Sequence, residues 1–210
     1  MFKYEILVLG ELQTNCYLLW EENYKEAVII DPADEGVSIS EEIERLQLKP
    51  KYVLATHGHF DHNLGALDLK LIYNIPYCAS EKDLFLIKRQ QETASYFLKK
   101  KISIPNLKKI DINLDKIKEI KLGEKIIKIV KSPGHTPGGL AFLADQFLFS
   151  GDTIFAEGMV GRTDFEYSSV TDLKNSIREI LNLPINTIIL PGHGGATTLR
   201  EALSSFKTGE

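Results

Sequence analysis

The sequence predicts an α/β fold, and three observations carry that prediction. Short apolar, β-prone runs alternate with segments of helical period along all 210 residues. No linker or low-complexity stretch interrupts them, so one domain over residues 1–210 is expected. The chain also divides into two halves, each running from a β-meander into β-α. That arrangement predicts two sheets facing one another with helices outside.

Glu5 to Leu9, Asn15 to Trp20 and Ala27 to Asp31 read as successive strands. Ser38 or Ser40 is placed to cap a helix to about Gln47, with Glu41 and Glu42 in its first turn. Lys51 to Thr56 is an apolar, buried strand, and a helix is expected from Asn63 to about Ile72. Pro76 to Ala79 reads as a short strand, followed by a longer helix from Glu81 to about Leu98. Further strands are expected at Ile117 to Ile120, Lys125 to Val130, Leu140 to Leu143, Phe147 to Phe149 and Asn186 to Leu190. Between the last two, Ser168 or Ser169 caps a helix to Leu181, where Val170, Leu173, Ile177, Ile180 and Leu181 keep a helical period.

All five histidines fall in three short motifs at the ends of these strands. His57, His59 and His62 lie in Thr56-His57-Gly58-His59-Phe60-Asp61-His62. His135 lies in Pro133-Gly134-His135-Thr136-Pro137-Gly138, and His193 in Pro191-Gly192-His193-Gly194. Asp152 follows Ser150-Gly151. A chance H-x-H-x-D-H is on the order of one in ten thousand at this composition. Three imidazoles within six residues have no role as caps or as packing. Imidazole and carboxylate are the ligands that divalent metals take at catalytic sites. Residues two apart on an extended exit point the same way, so His57 and His59 can grip one ion together. Asp61 and His62 fall where the chain turns into a helix and point toward a second ion.

Charge and composition exclude other classes. A net charge of −4 gives no electrostatic footprint for nucleic acid. No stretch is long enough to span a bilayer, and Met1-Phe2-Lys3-Tyr4 opens a strand rather than a signal peptide. Cys16 and Cys78 are far apart and outside any Cys-x-x-Cys motif, so reduced thiols and a cytoplasmic location are expected. The lysines at 99–101, with Lys108 and Lys109, read as a solvated loop face. A small-molecule substrate is the expected partner, and the oligomeric state is open.

With these motifs in place, the chain resembles a metallo-β-lactamase-superfamily hydrolase of the glyoxalase II (hydroxyacylglutathione hydrolase) type, in its short microbial form. The resemblance covers nearly the whole chain. It includes the early strand ending Val28-Ile29-Ile30-Asp31-Pro32 and the loop Gly158-Met159-Val160-Gly161-Arg162-Thr163-Asp164-Phe165. It implies an αββα sandwich and two divalent metal ions, zinc in the first place, with iron and manganese as the alternatives the ligands also suit. His57, His59 and His135 would hold one ion, Asp61, His62 and His193 the other, and Asp152 would bridge them. Asp31 would support the histidine loop from behind. The C-terminal helical region of the longer enzymes has no counterpart after Thr197, and that bears on substrate identity.

Two cations roughly 3.5–4 Å apart can share a hydroxide at neutral pH, and Asp61 would orient it as the catalytic carboxylate. The expected reaction is hydrolysis of a small thioester such as an acyl-glutathione. The alternatives are a mononuclear-iron persulfide dioxygenase or another hydrolase of the superfamily, a lactonase or phosphodiesterase among them. A secreted zinc β-lactamase fits less well, since many place Cys where Asp152 stands. Arg162, in a glycine-bearing loop just after Asp152, offers a charged fork for an anionic substrate group, or else pairs with Asp164, Glu166 or Asp172.

Overall fold

A computed structural model describes residues 1–208. Three strands open it: β1 (Phe2–Leu9), β2 (Thr14–Glu21) and β3 (Glu26–Ile30). Then come α1 (Gly36–Arg45), β4 (Lys49–Leu54), a 3-10 turn at Phe60–His62, α2 (Ala66–Tyr73) and β5 (Tyr77–Ala79). The short helices α3 (Leu84–Ile87) and α4 (Gln90–Phe97) lead to β6 (Ile112–Asn113). The second half holds β7 (Glu119–Leu122), β8 (Lys125–Lys131), β9 (Leu140–Ala144) and β10 (Phe147–Gly151). It ends with α5 (Val170–Leu181), β11 (Ile188–Pro191), β12 (Thr197–Thr198) and α6 (Leu199–Thr208).

The strands form two six-stranded sheets, ordered β1-β2-β3-β4-β5-β6 and β12-β11-β10-β9-β8-β7. Every residue of β2 is buried, because both faces of its sheet are covered. Side-chain alternation then sends neighbours to different layers. Leu18, Ile29 and Val53 pack with Ile39, Ile43 and Leu69 of α1 and α2, whereas Leu19, Val28 and Ile30 meet Phe142, Phe149 and Leu190 of the other sheet. Leu148 and Ile189 face outward onto Ile180 of α5 and Leu199 of α6. The result is the expected α/β architecture, an αββα sandwich.

Several boundaries differ from expectation for local reasons. The first helix starts at Gly36, after Glu35 in a left-handed conformation (φ 53°), and stops at Arg45. Ser38 and Ser40 sit inside it, where Ser40 Oγ meets the Tyr73 hydroxyl at 2.8 Å. The next helix begins at Ala66 rather than Asn63, because the Asn63 amide is engaged by the carbonyls of His57 (2.9 Å) and His59 (2.8 Å). The long helix expected from Glu81 to Leu98 breaks into a 3-10 turn and two short helices. At the break, Arg89 N bonds back three residues to Leu86 O. The strand expected at Ile117–Ile120 is shifted to Glu119–Leu122, and the two-residue strands β6 and β12 and helix α6 were not expected from periodicity.

Candidate metal centre

The three histidine motifs converge at one end of the two sheets, where β4, β8 and β11 release them and β10 releases the loop of Asp152. Thr56 to His59 leave β4 extended, and the 3-10 turn then carries Asp61 and His62. The structure gathers the seven side chains expected there. His57, His59 and His135 form one close group of ligand atoms, and Asp61, His62 and His193 another. Asp152 lies between them, with Oδ2 3.6 Å from His135 Nε2 and 3.7 Å from His193 Nε2, and Oδ1 3.5 Å from His62 Nε2.

The inward nitrogens stand close together. His59 Nδ1 is 3.1 Å from His57 Nε2 and 3.0 Å from His135 Nε2, and His62 Nε2 is 3.3 Å from His193 Nε2. Each outer nitrogen has an acceptor. His62 Nδ1 donates to Asp31 Oδ2 (2.9 Å), His135 Nδ1 to the Arg162 carbonyl (2.8 Å) and His193 Nδ1 to the Leu12 carbonyl (3.1 Å). His57 Nδ1 donates to Thr56 Oγ1 (3.0 Å), which itself donates to Asp31 Oδ2 (2.6 Å), and His59 Nε2 reaches the Tyr167 hydroxyl at 2.8 Å. In the neutral rings this network assigns the proton to the outer nitrogen and turns the inner lone pair toward the centre. The inner nitrogen of His62 faces the Asp61 and Asp152 carboxylates, which favour a proton or a cation there.

Bare nitrogens facing one another repel unless a cation lies between them. Two nitrogens about 2.0–2.1 Å from one ion at a tetrahedral angle stand about 3.3 Å apart, close to the spacings seen here. Asp152 Oδ1 is buried without a hydrogen-bond partner, which is the condition of a ligand oxygen. The donor set, imidazoles with two carboxylates, suits borderline divalent ions. The residues fit the metals that the sequence implies. A third geometric group, Asp31 with His57 and His62, is a different case. There the Asp31 oxygens are already occupied by Thr56 N (2.7 Å), Thr56 Oγ1 and His62 Nδ1, so Asp31 sits behind the ligands as expected.

The two groups differ electrically. Burial, then the neighbouring imidazoles, holds His57 well below the usual histidine range, and burial followed by His135 pushes His59 down to about 3. Burial also acts downward on His62, but Asp61, Asp152 and Asp31 outweigh it and raise His62 to about 10. Burial pushes the Asp61 carboxyl up, yet His62, the bond to His193 and His59 hold it well below the ordinary carboxylate range. The second group is therefore anion-rich and the first proton-poor.

Glycines permit this crowding. A Cβ on Gly192 would meet Asp152 Oδ1 at 2.3 Å, and one on Gly151, whose φ is +51°, would meet Thr56 Oγ1 at 2.4 Å. Arg162 lies at the rim, where its guanidinium forms two bonds to Asp164 (2.6 and 2.5 Å) and covers the Phe165 ring at 4.5 Å.

Sequence reasoning missed the scaffold around the ligands. The buried Asp83 accepts from Gly58 N (2.8 Å), Thr136 Oγ1 (2.7 Å) and Gly138 N (2.7 Å), tying the first histidine loop to the loop of His135. Burial pushes its carboxyl up, against those three donors. Asn15 Nδ2 donates to the carbonyls of Pro191 and Gly194 (2.9 Å each), and the Tyr17 hydroxyl to Pro191 O (2.7 Å), so β2 holds the His193 loop. The start of α5 steadies His135 through Ser168 Oγ to its carbonyl (2.7 Å). A polar Asn15 inside an otherwise apolar strand was the legible signal. Tyr167 and Asp83 had none.

Comparison with known proteins agrees with this geometry. A family model described as the metallo-beta-lactamase superfamily matches residues 9–193. A hydroxyacylglutathione hydrolase, GloC, of Haemophilus influenzae is 38% identical over 203 residues, covering 93% of this chain and 92% of that protein. The crystal structure of BLEG-1 B3 metallo-beta-lactamase superposes with a TM-score of 0.88 at 32% identity, covering 96% of this chain and 97% of the other. The structure of TTHA1623 in a di-iron-bound form gives a TM-score of 0.83 at 30% identity, over 96% and 98% of the two chains. By its sequence, its two facing sheets and its clustered histidines and aspartates, the chain belongs to the metallo-beta-lactamase superfamily, a family of hydrolases that bind divalent metals.

Proposed function

We propose that the chain is a dinuclear metallohydrolase that cleaves a small thioester. In this reading His57, His59 and His135 would hold one cation and Asp61, His62 and His193 the second, with Asp152 placed to serve both groups. The observation that carries it is the set of inward lone pairs, with every outer histidine nitrogen already committed to an acceptor. The 38% identity to GloC supports the thioester class. Zinc, iron and manganese all suit the donors.

Divalent ions at such a centre supply Lewis acidity and bring the pKa of water down to near neutrality. The protein's own groups do the rest. Asp61, kept ionised by its neighbours, accepts a hydrogen bond from the attacking water and turns its lone pair toward the carbonyl carbon. Thr14 Oγ1 donates to Asp61 Oδ2 at 3.3 Å and fixes that carboxylate. A new C–O bond forms as the water gives up a proton, the C–S bond breaks, and the thiolate leaves with the bonding electrons and takes up that proton as it reaches solvent. A thiolate is a good leaving group, so no separate acid is required. Arg162, paired with Asp164 at the rim, meets an anionic part of the substrate only by exchanging that partner.

Elemental analysis combined with turnover of thioesters, S-lactoylglutathione and S-hexanoyl-N-acetylcysteamine among them, tests this reading. Two metals per chain with hydrolysis upholds it. One iron per chain, with oxygen uptake on glutathione persulfide and no hydrolysis, replaces it with a dioxygenase. The likeness to BLEG-1 favours β-lactam hydrolysis as a second reading, so a β-lactam belongs in the same assay.

A further inference from the structure

Beside the candidate metal ligands lies a cavity of about 160 Å³, and its walls are unlike the centre it opens onto. His59, Asp61, His135 and Asp152 form its floor, while Leu12, Phe60, Leu86, Phe97, Phe165 and Tyr167 form its sides. The rings are ordered. Phe60 and Phe97 stack with centroids 6.0 Å apart, Phe165 and Tyr167 stack at 5.2 Å, and the two pairs meet edge-to-face where Phe97 faces Phe165 at 87°. Thr93, which also lines the cavity, spends its hydroxyl on the Arg89 and Gln90 carbonyls of its own helix. The cation in the lining is Arg162, and Asp164 already neutralises it.

These walls have nothing to offer the two carboxylates of a glutathione moiety, and much to offer an apolar group. An apolar cavity of about 150 Å³ holds one benzene molecule. On the other side of the centre, next to His193, a wider and more open hollow of about 460 Å³ is bounded by Phe155, Glu157, Met159 and the bare backbone of Gly194 and Gly195. A thioester carbonyl poised at the metals must send its acyl group one way and its thiol the other. The larger, open hollow suits the bulkier thiol carrier, which leaves the acyl group to the aromatic cavity.

We infer that this enzyme selects thioesters by an apolar acyl group about the size of a phenyl ring or a six-carbon chain, bound against the aromatic wall that the Phe60–Phe97 and Phe165–Tyr167 pairs form. The inference rests on the thioester reading above and narrows it: short hydroxyacyl groups such as lactoyl become poor substrates.

The test uses the metal-loaded protein and thioesters of one thiol, N-acetylcysteamine, with acetyl, butyryl, hexanoyl, phenylacetyl and dodecanoyl groups. Burying each methylene is worth about fourfold, so the four methylenes between acetyl and hexanoyl should raise kcat/KM about 250-fold. Phenylacetyl should match hexanoyl, and dodecanoyl should gain nothing more, because the cavity is full. Phe97→Ala, at a half-exposed position that tolerates truncation, should cost tenfold or more on hexanoyl and much less on acetyl. Thr93→Phe, which fills the cavity, should move the optimum to the shortest chains. Calorimetric binding of the non-cleavable S-ethyl and S-hexyl thioethers of the same thiol is measured alongside. Turnover that is flat in acyl length, or that instead follows the size of the thiol, overturns the cavity assignment and leaves the hydrolase intact. No turnover of any thioester, with S-hexyl binding that exceeds S-ethyl and falls in Phe97→Ala, overturns the thioester reading and leaves the apolar site standing. Thioether binding that is equally weak for both overturns the site itself.

Discussion

The two halves of the metal centre are held by two carboxylates that work in different ways. Asp83 grips Gly58 N, Gly138 N and Thr136 Oγ1, and so locks together two loops far apart in sequence. Asp31 instead bonds directly to His62 and, through Thr56 Oγ1, reaches His57. In the first group His57 and His59 share one loop, and Asp83 brings in His135 from the second half of the chain. In the second group Asp61 and His62 are adjacent, and only His193 has to be brought in, by Asn15 and Tyr17 of β2. Charge differs too. The first group offers three imidazole nitrogens, whereas the second includes the anionic Asp61. One half of the centre is fixed by backbone geometry and the other by electrostatics.

The largest effect should follow from removing the charge that distinguishes the second group. Asp61→Ala deletes both a ligand and the acceptor that orients water, so kcat should fall on the order of 10³-fold or more. Folding should change little, because Asp61 contributes no packing to the apolar layers. Steady-state kinetics on the metal-saturated variant, with a thermal melt beside it, gives the answer. Near-normal kcat would remove Asp61 from the mechanism and make the two groups equivalent.

A smaller effect separates the two supports. Asp83→Asn puts an amide NH₂ where a carboxylate oxygen accepts, so one of its three bonds is lost and the His135 loop loosens from the His57 loop. Substitution of such supporting groups costs about 10- to 100-fold in metal affinity. That loss should fall on the first ion, so a competitive chelator should strip one metal per chain early and leave the second. Asp31→Asn, which weakens the bond to His62, should loosen the second ion most. If both variants release their metals in the same order, the contrast between backbone bracing and direct polarisation is wrong.

Much of this centre was legible in the sequence because metal ligation restricts residue type and spacing together. His57, His59 and His62 share one strand exit, and Asp31 ends the neighbouring strand, paired in parallel with β4. The bracing carboxylate was not legible. Asp83 sits in Ser80-Glu81-Lys82-Asp83, which resembles an ordinary solvated helix start, and only the tertiary fold turns it inward. Helix limits failed for a related reason. Asn63 is a plausible first helical residue by propensity, but its side chain is claimed by two carbonyls of the histidine loop before it, and the helix waits until Ala66. Arg162 was legible as a charge at the rim, while its commitment to Asp164 depends on a loop conformation that the sequence pattern does not encode.

The smallest effect comes from a third carboxylate, away from the metals, which sharpens the contrast by isolating ordinary charge pairing. Asp111 accepts from Lys70 Nζ and from Tyr77 N (3.0 Å), and so joins α2 to the start of β5. Burial pushes its carboxyl up, but the bonds from Lys70 and Tyr77 outweigh that and leave its pKa below the ordinary 3.8. A carboxyl whose folded pKa is depressed binds fewer protons folded than unfolded, so it adds stability above the unfolded pKa. That contribution fades as the pH falls below about 4 and is gone once the folded form is also protonated. Because the pair is solvent-accessible and screened, Asp111→Asn should cost only about 1 kcal/mol at neutral pH. Urea melts of wild type and variant at pH 7, 5, 4 and 3 provide the test, with the difference taken at each pH so that titration of the metal ligands cancels. The gap should be widest at pH 5 to 7 and shrink toward pH 3. A gap that stays constant to pH 3 would mean that Asp111 acts through its hydrogen bonds alone, and that charge pairing contributes nothing at this surface site.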